Sequence, residues 1–175
     1  MLADFRRYFM PARPFTFAVR AMHYGRYGAD AEDPRMAPLF IGYQGLVRGY
    51  DLGSFDANEC ETLDLSSCEL FNRMNGSRVG VASAELRFPL LGLFSRRSYY
   101  GAFPIEMALF ADAGVAWTSD AKPSLAGGER DWVRSAGVAL RVNLLGFAIA
   151  EIDYVRPLDG SRKGWLWQFG LTPGF

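Results

Sequence analysis

The chain has 175 residues, a length that suits one domain or one piece of a larger domain. Its 19 basic and 19 acidic residues give a formal net charge of zero, which does not support nucleic-acid binding, since that usually needs a basic excess. Hydrophobic residues make up 50% of the chain, yet no run approaches the roughly 18 apolar residues of a membrane helix.

The chain begins with two predicted strands. Leu2–Met10 is predicted to end at Pro11, because proline cannot donate to a strand ladder. Phe15–Tyr27 alternates apolar and polar residues over more than ten positions, longer than the usual strand of a soluble protein. Charges in the first seven residues occupy the place where a signal peptide has its apolar centre, so we expect a longer exported precursor.

Residues 28–78 form a long segment without sustained alternation, and long loops in compact folds usually carry function. Its glycine-rich part contains Arg48 among apolar neighbours, where a cation needs a partner. Its polar part contains Cys60 and Cys68. Two cysteines in a short loop predict a disulfide and an oxidising compartment, with two free thiols in a cytosolic loop as the alternative.

Five further strands are predicted downstream, and one face of each mixes Gly, Ser, Thr and charged residues, unlike a soluble sandwich core. Short turns that alternate with longer loops, and tryptophans and tyrosines near strand ends, are typical of outer-membrane barrels. Seven strands are an odd number, while bacterial single-chain barrels usually have an even one, so we expect strands to be missing; an unrecognised strand within residues 28–78 is the alternative. The five are Val79–Leu90, Pro104–Trp117, Trp132–Leu144, Phe147–Leu158 and Gly164–Phe175.

Four motifs occur together in this order: Leu46-Val47-Arg48-Gly49-Tyr50, Glu85-Leu86-Arg87-Phe88-Pro89-Leu90, Phe110-Ala111-Asp112-Ala113-Gly114-Val115-Ala116-Trp117 and a terminal Phe175. In this combination the chain resembles, over nearly its whole length, the bacterial surface antigen domain of BamA/TamA-type outer-membrane assembly and translocation barrels. The resemblance implies an all-β fold, an antiparallel transmembrane β-barrel of sixteen strands. Residues 1–175 would be the last seven or so strands, with residues 28–78 as a lumen or extracellular loop.

The resemblance also implies that the loop tip folds into the barrel lumen and that Arg48 contacts the wall. The expected partners are Glu85, Phe110 and Asp112, and strand alternation independently places all three on the inward face. Two carboxylates and an aromatic ring are suitable partners for a guanidinium in a partly dry lumen. The residues of this expected contact are Arg48, Gly49, Tyr50, Glu85, Phe110 and Asp112.

The last predicted strand resembles the C-terminal sorting signal of outer-membrane proteins, with aromatic residues at alternate positions. Physically it is an edge strand that can pair with another edge. The residues that carry the signal are Trp165, Trp167, Phe169 and Phe175.

The resemblance implies a function in the bacterial outer membrane: assembly of outer-membrane proteins or translocation of polypeptides, without covalent chemistry. The implied partners are outer-membrane lipid, unfolded polypeptides, and the N-terminal strands and periplasmic domains of a longer parent; no nucleic acid is expected. Two alternatives stay open. One is a barrel that anchors or secretes a fused enzyme such as a patatin-like lipase, and the other is a small ligand-binding barrel.

Enzyme chemistry within the chain is not expected. The single histidine, His23, lies on the face assigned to lipid or the interface, which excludes most histidine-based triads and multi-histidine metal sites. Glu151 and Asp153 share one strand face and suggest an acid–base pair, but lumen-facing carboxylates are common in barrels. We therefore expect no catalytic residue, metal or cofactor.

Overall fold

A seven-stranded antiparallel sheet dominates the structure, a computed structural model that describes residues 1–51, 69–92, 104–124, 128–159 and 164–173. The prediction of an all-β antiparallel fold is confirmed. Each of its seven strands pairs with the next of the seven along the chain, and the second and third of them pair across the long connection. Among the described residues the sheet is open, with the first and last of these strands as its edges. The seven strands are β1 (Leu2–Ala12), β2 (Phe15–Gly25), β5 (Arg78–Pro89), β6 (Ile105–Trp117), β7 (Val133–Leu144), β8 (Ala148–Pro157) and β9 (Leu166–Pro173).

In its described residues, 26–51 and 69–77, the connection between β2 and β5 contains three short elements that alternation did not predict. They are β3 (Leu39–Phe40), the helix α1 (Glu69–Arg73) and β4 (Asn75–Gly76), which pairs with β3. Two-residue strands and a five-residue helix are too short to show a period. No helix in the described ranges is long and apolar enough to cross a membrane. Cys60, Cys68 and Phe175 lie outside the described residues, so the disulfide and the terminal aromatic residue stay predictions.

Two predicted strand ends near the start of the chain are wrong. β1 continues through Pro11 to Ala12, with a shift of register between Phe9 and Ala12. Proline is tolerated there because a bulge or an edge strand leaves positions that need no ladder donor. β2 ends at Gly25 rather than Tyr27, although the backbone N–H of Arg26 still donates to the carbonyl oxygen of Ser77 at 3.0 Å, which continues the β2–β5 register by one residue.

The two faces of the sheet have opposite character. The face toward the long connection buries Met22, Phe110 and several valines, and beside them it buries small, polar or charged side chains: Ala18, Glu85, Ala108, Asp112, Ser135, Ala139, Asp153 and Gln168. The opposite face exposes large apolar side chains: Phe5, Phe9, Phe17, Leu109, Trp167, Phe169 and Leu171. A contiguous apolar surface of this kind is unusual on a monomeric soluble protein and is typical of a barrel wall against lipid.

An apolar cluster holds residues 39–50 against the sheet, and we call them the lumen loop after their predicted location. Ile41 and Val47 of the loop are 0% exposed and pack with Val79, Val81 and Val133 of the wall. Full burial of such a side chain contributes about 1.5–3 kcal/mol. This packing fixes the position of Val47, and therefore of the next loop residue, Arg48, along the strands of the sheet.

Candidate functional site

The lumen loop turns back on itself within residues 41–47 and turns again at Gly49. The backbone N–H of Leu46 donates to the carbonyl of Tyr43 at 2.8 Å, and that of Val47 donates to Ile41 at 3.2 Å. Gly49 has a φ of 85°, in the left-handed region that favours glycine, and a Cβ there would lie 3.0 Å from a methyl carbon of Val155. The turn therefore closes against β8, with Arg48 directed at the sheet.

Arg48 binds Asp112 with a two-pronged contact. Its Nε donates to Oδ2 at 2.7 Å and its Nη2 donates to Oδ1 at 2.9 Å, while its backbone N–H approaches Oδ2 at 3.3 Å. Arg48 is 4% exposed and Asp112 is 3% exposed. This fork geometry is specific to arginine, because the compact ammonium of lysine cannot reproduce both bonds.

Phe110 supplies the ring beneath the guanidinium. The Cζ atom of Arg48 lies 3.5 Å from the ring centroid, a cation–π contact. Phe110 pairs with Gly137 of β7 in the sheet register, and a Cβ at Gly137 would come within 2.8 Å of the ring. The glycine on β7 therefore leaves room for the aromatic ring on β6.

A second arginine, Arg141 of β7, binds two glutamates of the sheet. Its Nη1 and Nη2 both donate to Glu85 at 2.9 Å, and its Nε and Nη2 donate to Glu151 at 3.1 and 3.0 Å. Neither Arg141 nor Glu151 was among the sequence-predicted contacts of the site. The available signal was the position of both side chains on the predicted inward face, where a charge needs a partner.

Five charged residues linked by ion pairs form what we call the ion network: Arg48, Glu85, Asp112, Arg141 and Glu151. At its border, Arg87 Nη2 lies 2.6 Å from Glu85 Oε2 and Glu106 Oε1 lies 3.7 Å from Arg141 Nη1. Arg48 Nη2 lies 2.8 Å from Glu85 Oε1, and Arg48 Nη1 lies 3.4 Å from Glu151 Oε1. Because Arg141 binds the same two glutamates, the two arginines share their acceptors. The wall contributes one charged group from each of four adjacent strands, β5 to β8, and the loop contributes the fifth.

Tyr50 anchors the other side of the loop tip. Its hydroxyl donates to the carbonyl oxygen of Arg134 at 2.7 Å and accepts the backbone N–H of Asp159 at 3.1 Å. The side chain is 2% exposed, and burial raises the pKa of Tyr50 to about 12. The hydroxyl therefore stays protonated and keeps its donor at physiological pH.

The structure brings together the predicted loop and wall residues, and it keeps the predicted sorting-strand aromatics apart from them. Trp165, Trp167 and Phe169 are 46%, 64% and 70% exposed, and Trp167 and Phe169 lie on the outer face of β9. Tyr154 stacks on Trp165 with ring centroids 4.7 Å apart.

Among the described residues, no group of His, Cys, Asp and Glu side chains is arranged to hold a metal ion.

Comparison with protein families gives one match that spans this site. Residues 13–172 match the model of the Omp85 superfamily domain, a range that contains the lumen loop and all four wall strands of the ion network. A comparison with curated proteins gave no significant match.

Proposed function

Since the chain belongs to the Omp85 superfamily, we propose that it forms part of an outer-membrane barrel that inserts or translocates unfolded polypeptides. Members of this superfamily are outer-membrane proteins of assembly and translocation, and they are typically not enzymes. The proposed partners are outer-membrane lipid, unfolded polypeptides, and further strands and domains of a longer parent protein. The work done on a polypeptide is non-covalent.

The ion network is the observation that carries this proposal. Arg48, Glu85 and Asp112 of this network are buried, and their desolvation has a large cost that only good geometry and shared hydrogen bonds offset. Loss of one partner leaves uncompensated charge and typically costs about 3–5 kcal/mol, less where water reaches the group. Such an arrangement specifies one position for the lumen loop. A loop fixed in this way holds the neighbouring strands in register, which a sheet needs if its edge strand is to pair with a polypeptide.

The edge strand supplies the polypeptide-binding surface in this proposal. Along the outer edge of β9, the backbone N–H and C=O groups have no partner strand within the described part of the chain. An extended polypeptide can bind such an edge by adding a strand to the sheet. The outer face beside that edge is apolar, so the added strand would lie with one face toward lipid.

Replacement of Arg48 tests the proposal. We expect Arg48→Ala in the full-length protein to release the lumen loop and to lower insertion of an unfolded eight-stranded barrel protein by at least about tenfold, a factor equivalent to 1.4 kcal/mol. The measurement uses liposomes that contain the purified protein, with the substrate diluted from urea and scored by heat-modifiable gel migration. A parallel arm scores translocation of a protease-sensitive polypeptide into the same liposomes.

Arg35→Ala is the matched control, because Arg35 pairs with Asp33 at the surface and its side chain is 89% exposed. It should retain wild-type insertion, since exposed pairs contribute little. Heat-modifiable migration of the variant itself shows whether its barrel is folded. Wild-type insertion and translocation by folded Arg48→Ala, together with an unchanged protease pattern of residues 39–50, would refute the proposal.

A further inference from the structure

The lumen loop also reaches the last strand, through contacts outside the ion network. Gln44 Nε2 donates to Asp153 Oδ2 of β8 at 2.7 Å, and the backbone N–H of Gly49 donates to Gln168 Oε1 of β9 at 2.9 Å. Asp153 and Gln168 face each other in the register of the two strands and are 0% and 6% exposed. The loop therefore contacts both strands of the final hairpin with buried polar groups.

Gly170 of β9 provides the space in which the Gln44 side chain lies. A Cβ at position 170 would overlap Gln44 Oε1, and it would lie 2.6 and 2.7 Å from Gln44 Cδ and Nε2. Gly170 pairs with Glu151 of β8, so the amide lies beside the ion network without belonging to it. Any side chain at position 170 must displace the amide, and with it the hydrogen bond to Asp153.

We infer that Gln44 and Gly170 form a latch, completed by the Gly49–Gln168 bond, through which the lumen loop positions β9. This inference rests on the proposed function in one respect, because β9 is the strand whose edge is presented to a polypeptide. All latch contacts use the loop-covered faces of β8 and β9. They leave the backbone groups of the outer edge of β9 unpaired, so the edge is held in place and stays able to pair.

The latch couples two segments that are distant in sequence. Displacement of the loop removes two hydrogen bonds from the β8–β9 hairpin, and loosening of β9 removes the Gly49–Gln168 bond and the support of Gly170 for the Gln44 side chain. Local opening of either segment is therefore expected to raise opening of the other. Gln44 and Gly170 are positioning residues, since neither contacts a polypeptide at the edge.

A double-substitution experiment tests the fit between the two residues. Gly170→Ala, Gln44→Ala and the double variant are made in the full-length protein in lipid nanodiscs, and hydrogen exchange is followed by mass spectrometry. We expect Gly170→Ala to speed exchange by at least about tenfold both in residues 41–50 and in residues 164–173. The double variant should match Gln44→Ala, because the new methyl group occupies the space that the glutamine side chain has left.

Gly45→Ala is the matched control, since a Cβ at Gly45 meets nothing within 4 Å and its carbonyl still accepts from Arg20. It should exchange as the wild type does. Fast exchange confined to residues 164–173 in Gly170→Ala, or a double variant in which the two effects add, would overturn the inference. Because exchange is measured without a substrate, the latch can stand if Arg48→Ala leaves insertion intact, and it can fail while the proposed function stands.

Discussion

Asp112 and Asp153 are both buried carboxylates on the loop-covered face, but their surroundings differ. Both oxygens of Asp112 accept hydrogen bonds from Arg48. Only Oδ2 of Asp153 is bonded, to Gln44, and its Oδ1 is buried without a hydrogen-bond partner in the part of the chain that the structure describes. The negative charge of Asp112 is compensated by a cation, whereas Asp153 lies on the same strand face as Glu151.

Substitution by asparagine should separate these two aspartates. Asp112→Asn removes the charge that balances Arg48 and places an amide donor against its N–H groups, so we expect a loss of about 3 kcal/mol in the free energy of unfolding. Asp153→Asn removes a buried charge and keeps an oxygen that can accept from Gln44, so we expect a change within about 1 kcal/mol. Urea unfolding in lipid vesicles measures both.

Two results would contradict these expectations for Asp112 and Asp153. An Asp153→Asn variant that loses as much stability as Asp112→Asn would show that the Asp153 charge itself is required. Equal tolerance of both substitutions would show that the fork between Arg48 and Asp112 contributes little to stability.

At the scale of elements, one carboxylate links the residues that follow β2 to the segments that flank β5 and β6 at the same end of the sheet. Glu32 accepts hydrogen bonds from the hydroxyl of Ser77 at 2.7 Å, and from the backbone N–H and hydroxyl of Ser119 at 2.7 and 2.6 Å. These bonds, led by that from the Ser119 hydroxyl, lower the pKa of Glu32 from 4.5 to about 2. Residues 26–38 are thereby attached to the segment after β6.

The lowered pKa of Glu32 sets the sign of a pH effect. The stabilising contribution of the carboxylate is complete above its unfolded pKa of 4.5 and is lost as the pH falls through the folded value of about 2. We expect pepsin cleavage within residues 26–38 to rise between pH 4 and pH 2 in the wild type. Glu32→Gln should be cleaved readily across that whole range, because it lacks the charge at every pH.

Asp33→Asn is the control for this experiment, since in the described part of the chain the carboxylate of Asp33 accepts only from Arg35, from its backbone N–H and from its guanidinium. It should keep the wild-type pH dependence. Cleavage of Glu32→Gln that follows the wild-type curve would assign the effect to another group.

The seven long strands could be predicted from sequence because a two-residue period is a local property that repeats over ten or more positions. The contact of Arg48 with its predicted partners came from motifs and from face assignment. The role of Arg141 could not be predicted, since its bond to Glu85 spans 56 residues and depends on the register of β5, β6 and β7. The fit of Gln44 over Gly170 likewise depends on where the loop lies above the sheet.

At the scale of the whole molecule, the outer face defines how the sheet meets its surroundings. Leu109, near the middle of β6, and Leu144, at the end of β7, are exposed to similar extents, 48% and 45%. If this face borders lipid, these two leucines differ mainly in depth. The cost of a buried arginine in a barrel wall is greatest at the bilayer midplane and falls toward the interface.

An arginine at each of the two leucines tests the orientation of the wall. We expect Leu109→Arg to lower the free energy of unfolding in vesicles by about 2–4 kcal/mol and Leu144→Arg by about 0–1 kcal/mol. Urea titration of the full-length protein in vesicles measures the difference. Equal costs at both positions would contradict a wall whose strands cross the bilayer.

The ion network also has a consequence for the order of events during folding. Arg48 precedes every one of its wall partners in the chain, and those partners extend to Glu151 on β8. A newly made chain therefore has no complete binding site for Arg48 until its last but one strand is in register. We expect loop docking to be a late step that reports completion of the wall, so that a half-built sheet keeps its lumen open.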